Sequence, residues 1–499
     1  MLSLRRVWLL KDRAACQFSD ASGVKSFDEI PGPKGLPLVG TLYQYLPFIG
    51  EYDFKKLHKN GMSKYEKYGP LVREDIVQGQ STVWVFRPED IAEVFKADVG
   101  RYPERRSHRA LHKYRADRPQ IYKNGGLLPT NGVEWWKLRK EFQKALSKPQ
   151  NVTNYIEDTD EAMINFVGIC EKNATEDTLS MLSRLFLQLL FLLTFDKKIN
   201  PFSKEEMKSD SMSTKLIDAA YKTNSAILAL DNGPQFWRYF NTPLYKKLCK
   251  AEEYKEEIAI KLVGEKMESL RDVEEKSAKS LLEQYLLNPE LDYKDIVAFA
   301  SDMLLAAIDT TTYSTSFALY HLARNSEAQE KLYAETSKLL VKEIDSITAD
   351  TLREATYTKA VIKETFRMNP VSVGVGRILQ EDVVLSGYQV RKGTNVVTQN
   401  QISCRLPCYF EKPDDFIPER WLKEIGTKEK PSIHPYLVLP FGHGPRSCIA
   451  RRLAEQNMQM LLLRMCRHLK FEWKGGELDV ITVPINKPDG PIKIHYQRR

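Results

Sequence analysis

The stretch Phe441-Gly442-His443-Gly444-Pro445-Arg446-Ser447-Cys448-Ile449-Ala450 concentrates more chemistry than any other in the chain. Two glycines and a proline shape a stiff loop in which backbone can come close to a ligand. A cysteine closes the loop at the mouth of an apolar helical stretch, Ile449 to His468. A helix N-terminus favours the thiolate over the thiol. The N–H groups left free there can bond to the sulfur and tune its electron donation. Arg446, two residues earlier, is placed to neutralise a carboxylate of a bound cofactor. A thiolate used as an axial ligand pushes electron density through iron and favours O–O cleavage. The competing reading is an inert cysteine beside a turn.

A second group, Ala306-Ala307-Ile308-Asp309-Thr310-Thr311, interrupts a long apolar stretch running from Tyr293 to Leu322. An acid and consecutive threonines are poor helix formers. A threonine hydroxyl can capture a backbone carbonyl and loosen the helix, opening a pocket beside it. Asp309 and Thr310 can then relay protons as general acids. A satisfied polar patch is the plainer alternative. In the third group, Glu364-Thr365-Phe366-Arg367, the acid and the arginine share a helix face and can pair. Most such pairs are merely solvated.

The spacing Phe441, Gly444, Arg446, Cys448 resembles the Phe-x-x-Gly-x-Arg-x-Cys signature of the cytochrome P450 family. Glu364 and Arg367 resemble the family's Glu-x-x-Arg helix. Phe416-Ile417-Pro418-Glu419-Arg420-Trp421 supplies Arg420 as third member of a buried charged network supporting the cysteine loop. The resemblance spans residues 27–499 and implies one mainly α domain with a small β portion. It implies haem b (iron protoporphyrin IX) held by Cys448, with Phe441, Gly442, Arg446 and Ala306 against it. Trp135-Trp136-Lys137-Leu138-Arg139 resembles the family's Trp-x-x-x-Arg, so Trp135 and Arg139, with Arg377, are expected to face the propionates. Asp309 and Thr310 match the family's acid–alcohol pair. Ala307 stands where a glycine is usual and narrows the groove by a methyl group.

Lys359 and Lys363 resemble the lysine pair with which mitochondrial-type members bind an acidic ferredoxin. Arg451 and Arg452, and Lys137, Lys140 and Lys144, extend that basic face. A solvated helix face is the alternative. The expected electron supply is therefore mitochondrial ferredoxin with its reductase and NADPH. Within the mitochondrial group the chain looks most similar to ecdysteroid 22-hydroxylases. The stretches 35–43, 101–107 and 125–132 carry this. That implies oxygen insertion at C-22 of a steroid, taking 2,22-dideoxyecdysone to 2-deoxyecdysone. Leu127, Leu128, Val373 and Val375 are pocket candidates by motif neighbourhood only. Rival readings are another ecdysteroid carbon, a xenobiotic, or a haem-binding carrier or sensor without turnover.

Composition sets the frame for these residues. Hydrophobic residues make up 42% of the 499, enough for a large core. Lys plus Arg is 74 against 66 acids, a net charge of +8, which suits an acidic partner or an anionic membrane and shows no nucleic-acid stripe. Seven cysteines without a disulfide framework suit a reducing compartment. Cys404 and Cys408 alone make a poor metal site. No run of about 18 apolar residues marks a membrane span. Residues 1–26 are basic and poor in acids, with only Val7-Trp8-Leu9-Leu10 apolar, and read as a mitochondrial presequence or a frayed end. The expected location is the matrix side of the inner membrane. Gln235 to Phe240, rich in aromatics, is a peripheral membrane contact or a packed segment.

After the breaker Ile30 to Pro37, short strands are expected at Leu71–Ile76 and Ser81–Phe86. Helices are expected at 134–146, 178–194, 251–269, 293–322, 358–368 and 449–468. Strands are expected within 383–397, and a closing pair at 480–485 and 492–496.

Overall fold

In the computed structural model, residues 23–499 are described, save 78, 99–101, 173–176, 272–279, 423–432 and 484. Met1–Ser22, nearly all of the expected leader, therefore lies outside the described residues.

The apolar run from Tyr293 forms one uninterrupted α-helix, Tyr293–Arg324, capped by the Asp292 carboxylate on the Lys294 N–H at 2.9 Å. It is apolar nearly all round because it is surrounded. Thr178–Phe195, Met212–Asn232, Pro243–Ser269 and Thr356–Met368 pack against it, and Arg451–His468 closes the other side of the same core. Thr178–Phe195 is the one described helix long and apolar enough to cross a membrane, with mean hydropathy 1.6, yet 83% of it is buried in the body. Here it is a core helix.

A four-stranded sheet flanks this body. Leu71–Asp75 pairs antiparallel with Ser81–Val85, in register Val72 to Trp84. Ser81–Val85 runs parallel to Asn395–Thr398, which pairs antiparallel with Gly376–Ile378 through Arg377 and Val396. The sheet thus brings Arg377 alongside a helical site assembled from distant sequence. The turns at Ser386-Gly387 and Gly393 form with positive φ, as turn residues require.

The closing strands differ from expectation. Val480–Thr482 pairs with Asn486–Pro488, while Ile494–Arg498 pairs with Leu469–Trp473. The last helix stops at His468 and its apolar–polar alternation Leu469, Phe471 turns inward as a strand. That strand, unassigned in the sequence, captures the C-terminal segment.

Candidate active site

Gly442 and Gly444 adopt φ of 71° and 69°, the left-handed region that favours glycine. The loop closes where the Cys448 N–H donates to Phe441 O at 2.8 Å and the Ser447 N–H donates to Gly444 O at 3.0 Å. The following helix starts at Arg451, so Cys448 sits just outside its first turn. Burial pushes the Cys448 thiol pKa up, opposed by the Ala450 backbone N–H, Arg139 and Arg451. The backbone N–H and the two cations favour the thiolate, as expected of a helix start, and burial works against them. A metal ion bound at such a sulfur would deprotonate the coordinating thiol outright. Cys448 is nevertheless exposed as a residue.

The central helix opens onto a cleft at one place. From Asp295 to Leu322 every residue is buried except Ala306, Ala307 and Thr310, which the helical period groups on one face. The Thr310 hydroxyl donates to Ala306 O at 2.8 Å, the capture anticipated from the sequence. The helix stays α-helical through it, so the expected loosening does not occur. Asp309 lies about 100° round the helix from Thr310. It is buried and accepts from Asn224 Nδ2 at 2.9 Å and from Tyr313. Burial pushes its carboxyl up to about 6. Thr310 faces the cleft, and Asp309 is buried next to it in the chain.

Four arginines gather near the cysteine loop. The Arg446 guanidinium donates to Pro103 O at 3.0 Å, to Thr130 O at 2.7 Å and to Asn131 Oδ1, and lies 4.4 Å from the centre of the Trp135 ring. Arg139 donates to Gln143 Oε1 at 2.8 Å and to Ser447 O at 2.7 Å. Arg377 donates to Asp98 and to His443 O at 2.9 Å. Arg105, which sequence reasoning missed, donates to Leu128 O at 2.8 Å. Burial, then mutual repulsion, lowers Arg446 to about 8 and Arg105 to about 10; Arg139 falls to about 10 by burial.

Only Arg377 of the four has a carboxylate partner among the described residues. Buried cations that repel one another call for anions. A macrocycle with two carboxylates and an iron needing one thiolate fits this donor set. Buried Trp135 makes no hydrogen bond through its indole N–H among the described residues, and stacks under Arg446.

The Glu364 network forms in full. Glu364 has no solvent exposure and accepts five hydrogen bonds: two from Arg367 at 2.9 and 2.8 Å, one from Arg420 at 3.0 Å, one from the Trp421 indole at 2.8 Å and one from the Ile417 N–H at 3.0 Å. Arg367 also donates to Cys404 O, Pro413 O and Asp415 O. Phe366, between the pair, meets Phe441 edge-on at 5.4 Å and links the network to the cysteine loop. Trp421 lay inside the quoted motif without a role. Cys404 is a buried thiol donating to Arg367 O at 2.9 Å, and no described cluster of three or more His, Cys, Asp or Glu could hold a metal ion.

Of the pocket candidates, Val375 lies 4.0 Å from where a Gly442 Cβ would stand. Val373 instead lines a cavity of about 20 Å³ with Trp84, Phe86 and Gln401, on the sheet side. Leu127 and Leu128 donate their N–H groups to buried Asp302 at 2.6 and 3.1 Å.

On the outer face, Lys363, Arg451, Arg452, Lys137, Lys140 and Lys144 are exposed. Arg452 donates to Ser147 O at 2.5 Å, joining the two basic groups into one surface. Lys359 is half-buried and donates to Arg353 O at 2.8 Å.

Fold, cysteine loop and charged network together define a class, and comparison with known proteins agrees: the family described as Cytochrome P450 matches residues 30–494, and the chain belongs to it. It is a P450 monooxygenase, and the family implies haem iron. The relatives include "Cytochrome P450 302a1, mitochondrial" of Drosophila melanogaster, 47% identical over 494 residues and 98% of each chain. "Probable cytochrome P450 49a1" of the same species is 30% identical over 96% of this chain and 84% of its own. "Cytochrome P450 10" of Lymnaea stagnalis is 27% identical over 95% and 86%.

Proposed function

We propose that this protein hydroxylates a steroid, an ecdysteroid at C-22, on haem b, with electrons from a mitochondrial ferredoxin. The observation that carries the chemistry is the partly exposed patch Ala306, Ala307 and Thr310 within the otherwise buried stretch Asp295 to Leu322, bordering the same core as Phe441 and Ile449. The 47% identity to a relative named mitochondrial supports the compartment, and the stretches 35–43, 101–107 and 125–132 support the substrate.

Haem iron, when bound, activates dioxygen for insertion of one oxygen atom into a C–H bond. Cys448 would hold the iron through its sulfur, and the Ala450 N–H would temper the charge on that sulfur. Arg105, Arg139, Arg377 and Arg446 would neutralise the two carboxylates of the bound group. Thr310 hands a proton into the cleft through its hydroxyl. Asp309, protonated below about pH 6 and held by Asn224, resupplies it. Leu127, Leu128 and Val375 exclude water and bear on the steroid. Glu364, Arg367 and Arg420 hold the loop that carries Cys448.

Exposed Lys363, Arg451 and Arg452 orient an acidic ferredoxin over the proximal side. Phe236, Tyr239 and Phe240 are 57%, 86% and 60% exposed, whereas Trp237 is buried with its indole N–H on Leu230 O at 2.8 Å. That segment, anchored by one aromatic with three facing out, suits peripheral contact with the inner membrane from the matrix side.

The test is turnover of 2,22-dideoxyecdysone with ferredoxin, ferredoxin reductase and NADPH, read by mass spectrometry. A single 22-hydroxylated product is expected. Hydroxylation only elsewhere, or none, overturns the substrate assignment.

A further inference from the structure

Asp302 stands one turn before Ala306, so residues 302, 306 and 310 form one stripe along the central helix. It is buried at 4% exposure. Its Oδ2 accepts the backbone N–H groups of Leu127 and Leu128 at 2.6 and 3.1 Å, and its Oδ1 accepts Arg115 Nη1 at 2.7 Å. The same Arg115 nitrogen donates to Gly125 O at 2.7 Å. Gly126, between them, has φ +86°, and a Cβ there would stand 2.5 Å from Arg115 Nη1 and 2.7 Å from Asp302 Oδ2. The glycine is required by that close approach. On its far side the loop is held by Arg105, which donates to Leu128 O at 2.8 Å and belongs to the arginine cluster beside the cysteine loop.

An apolar pair of similar volume would serve stability as well as a buried ion pair, or better. This pair is also imperfectly satisfied. Among the described residues Arg115 Nε and Glu252 Oε2 lack hydrogen-bond partners, although Arg115 Nη2 lies 3.8 Å from Glu252 and Lys255 pairs with Glu252 at 2.5 Å. What Asp302 and Arg115 supply, and leucine or methionine cannot, is a directional grip on three backbone groups of residues 125–128.

We infer that Asp302 and Arg115 are positioning residues for regioselectivity: they fix the Gly125–Leu128 loop against the stripe that ends in Ala306 and Thr310, and so fix which substrate carbon meets the reacting centre. The inference rests on the steroid-hydroxylase reading above. Asp302 touches neither substrate nor cofactor in this scheme; it acts through the loop.

The experiment compares wild-type holoenzyme with Asp302→Asn and with the double variant Arg115→Met/Asp302→Leu, using 2,22-dideoxyecdysone as probe. The double variant is expected to keep wild-type haem content and carbon monoxide spectrum. Its products should spread over more than one carbon, and its substrate-induced optical shift should need roughly ten-fold more steroid, because the loop is no longer pre-set. A double variant with normal haem and the wild-type single product overturns the inference. Should the variants not fold, hydrogen exchange on the wild type decides. The Leu127 and Leu128 amides should exchange as slowly as those of the central helix, and fast exchange overturns the inference. A wild type without steroid turnover removes the functional reading, while the exchange result still judges the grip.

Discussion

Replacing Glu364 by alanine removes a carboxylate that accepts five hydrogen bonds in a site with no solvent exposure. The Arg367 guanidinium, itself without solvent exposure, keeps its carbonyl acceptors at Cys404, Pro413 and Asp415 but loses its only charge partner among the described residues. Arg420, at 12% side-chain exposure, loses the same partner and keeps the Glu411 and Lys412 carbonyls near the surface. Breaking one buried pair in this way costs roughly 3–5 kcal/mol. The Trp421 indole and the Ile417 N–H are orphaned besides, at about 1–3 kcal/mol each where water cannot reach. The total, roughly 5 kcal/mol or more, rivals the whole stability of many folded domains, about 5–15 kcal/mol. Because Phe366 passes the network on to Phe441, the loss should appear first as failure to retain haem. The assay is haem content per polypeptide with circular dichroism on the same sample. Glu364→Ala should give helical protein with little haem, and Glu364→Gln an intermediate case, since the amide keeps one acceptor. Full haem content in the alanine variant refutes the reasoning.

Other outcomes follow from the same geometry. Thr310→Ala should lower product formed per NADPH by roughly ten-fold while NADPH is still consumed and peroxide appears, measured by product and peroxide yields; unchanged coupling contradicts the proton role of the hydroxyl. Asp309 holds its proton up to about pH 6 when folded but only to its ordinary value of 3.8 when unfolded. The folded state therefore loses stability as pH rises through that window and no further above it. Asp309→Asn should gain on wild type by about 1 kcal/mol between pH 5 and pH 7.5, read by denaturant unfolding; a pH-independent difference contradicts the assignment. Lys363→Glu should raise the apparent KM for ferredoxin and flatten its salt dependence more than Lys359→Glu does, since Lys363 is exposed and Lys359 is half-buried on Arg353 O. Equal effects, or none, remove the basic face as the docking surface.

Much of this site is legible in one dimension because its parts are local. The cysteine loop is ten consecutive residues, and its glycine φ angles and closing hydrogen bonds depend on little outside it. Glu364 and Arg367 pair within one helical turn, and the run Tyr293 to Arg324 declares a buried helix by apolarity alone. What the sequence conceals is long-range. Asn224 is an unremarked polar residue in its own helix and matters only because that helix lies against Asp309. Asp302 reads as one acid in an apolar stretch, and nothing in the chain announces that Leu127 and Leu128, some 175 residues away, spend their N–H groups on it. Arg105 could have been suspected from the Arg105-Arg106 pair, but only burial beside Arg377 and Arg446 marks it as part of an anion site. The terminal strands were misjudged for the same reason: Ile494–Arg498 depends on Leu469–Trp473, whose pattern is too short to separate from the end of a helix.

The account depends above all on the Cys448 sulfur as ligand to iron. Haem-reconstituted protein, reduced with dithionite and exposed to carbon monoxide, should show the red-shifted absorption band of a thiolate-ligated haem, and the Cys448→Ser variant should lose it. A wild-type spectrum without that band, or a serine variant that keeps it, contradicts the account.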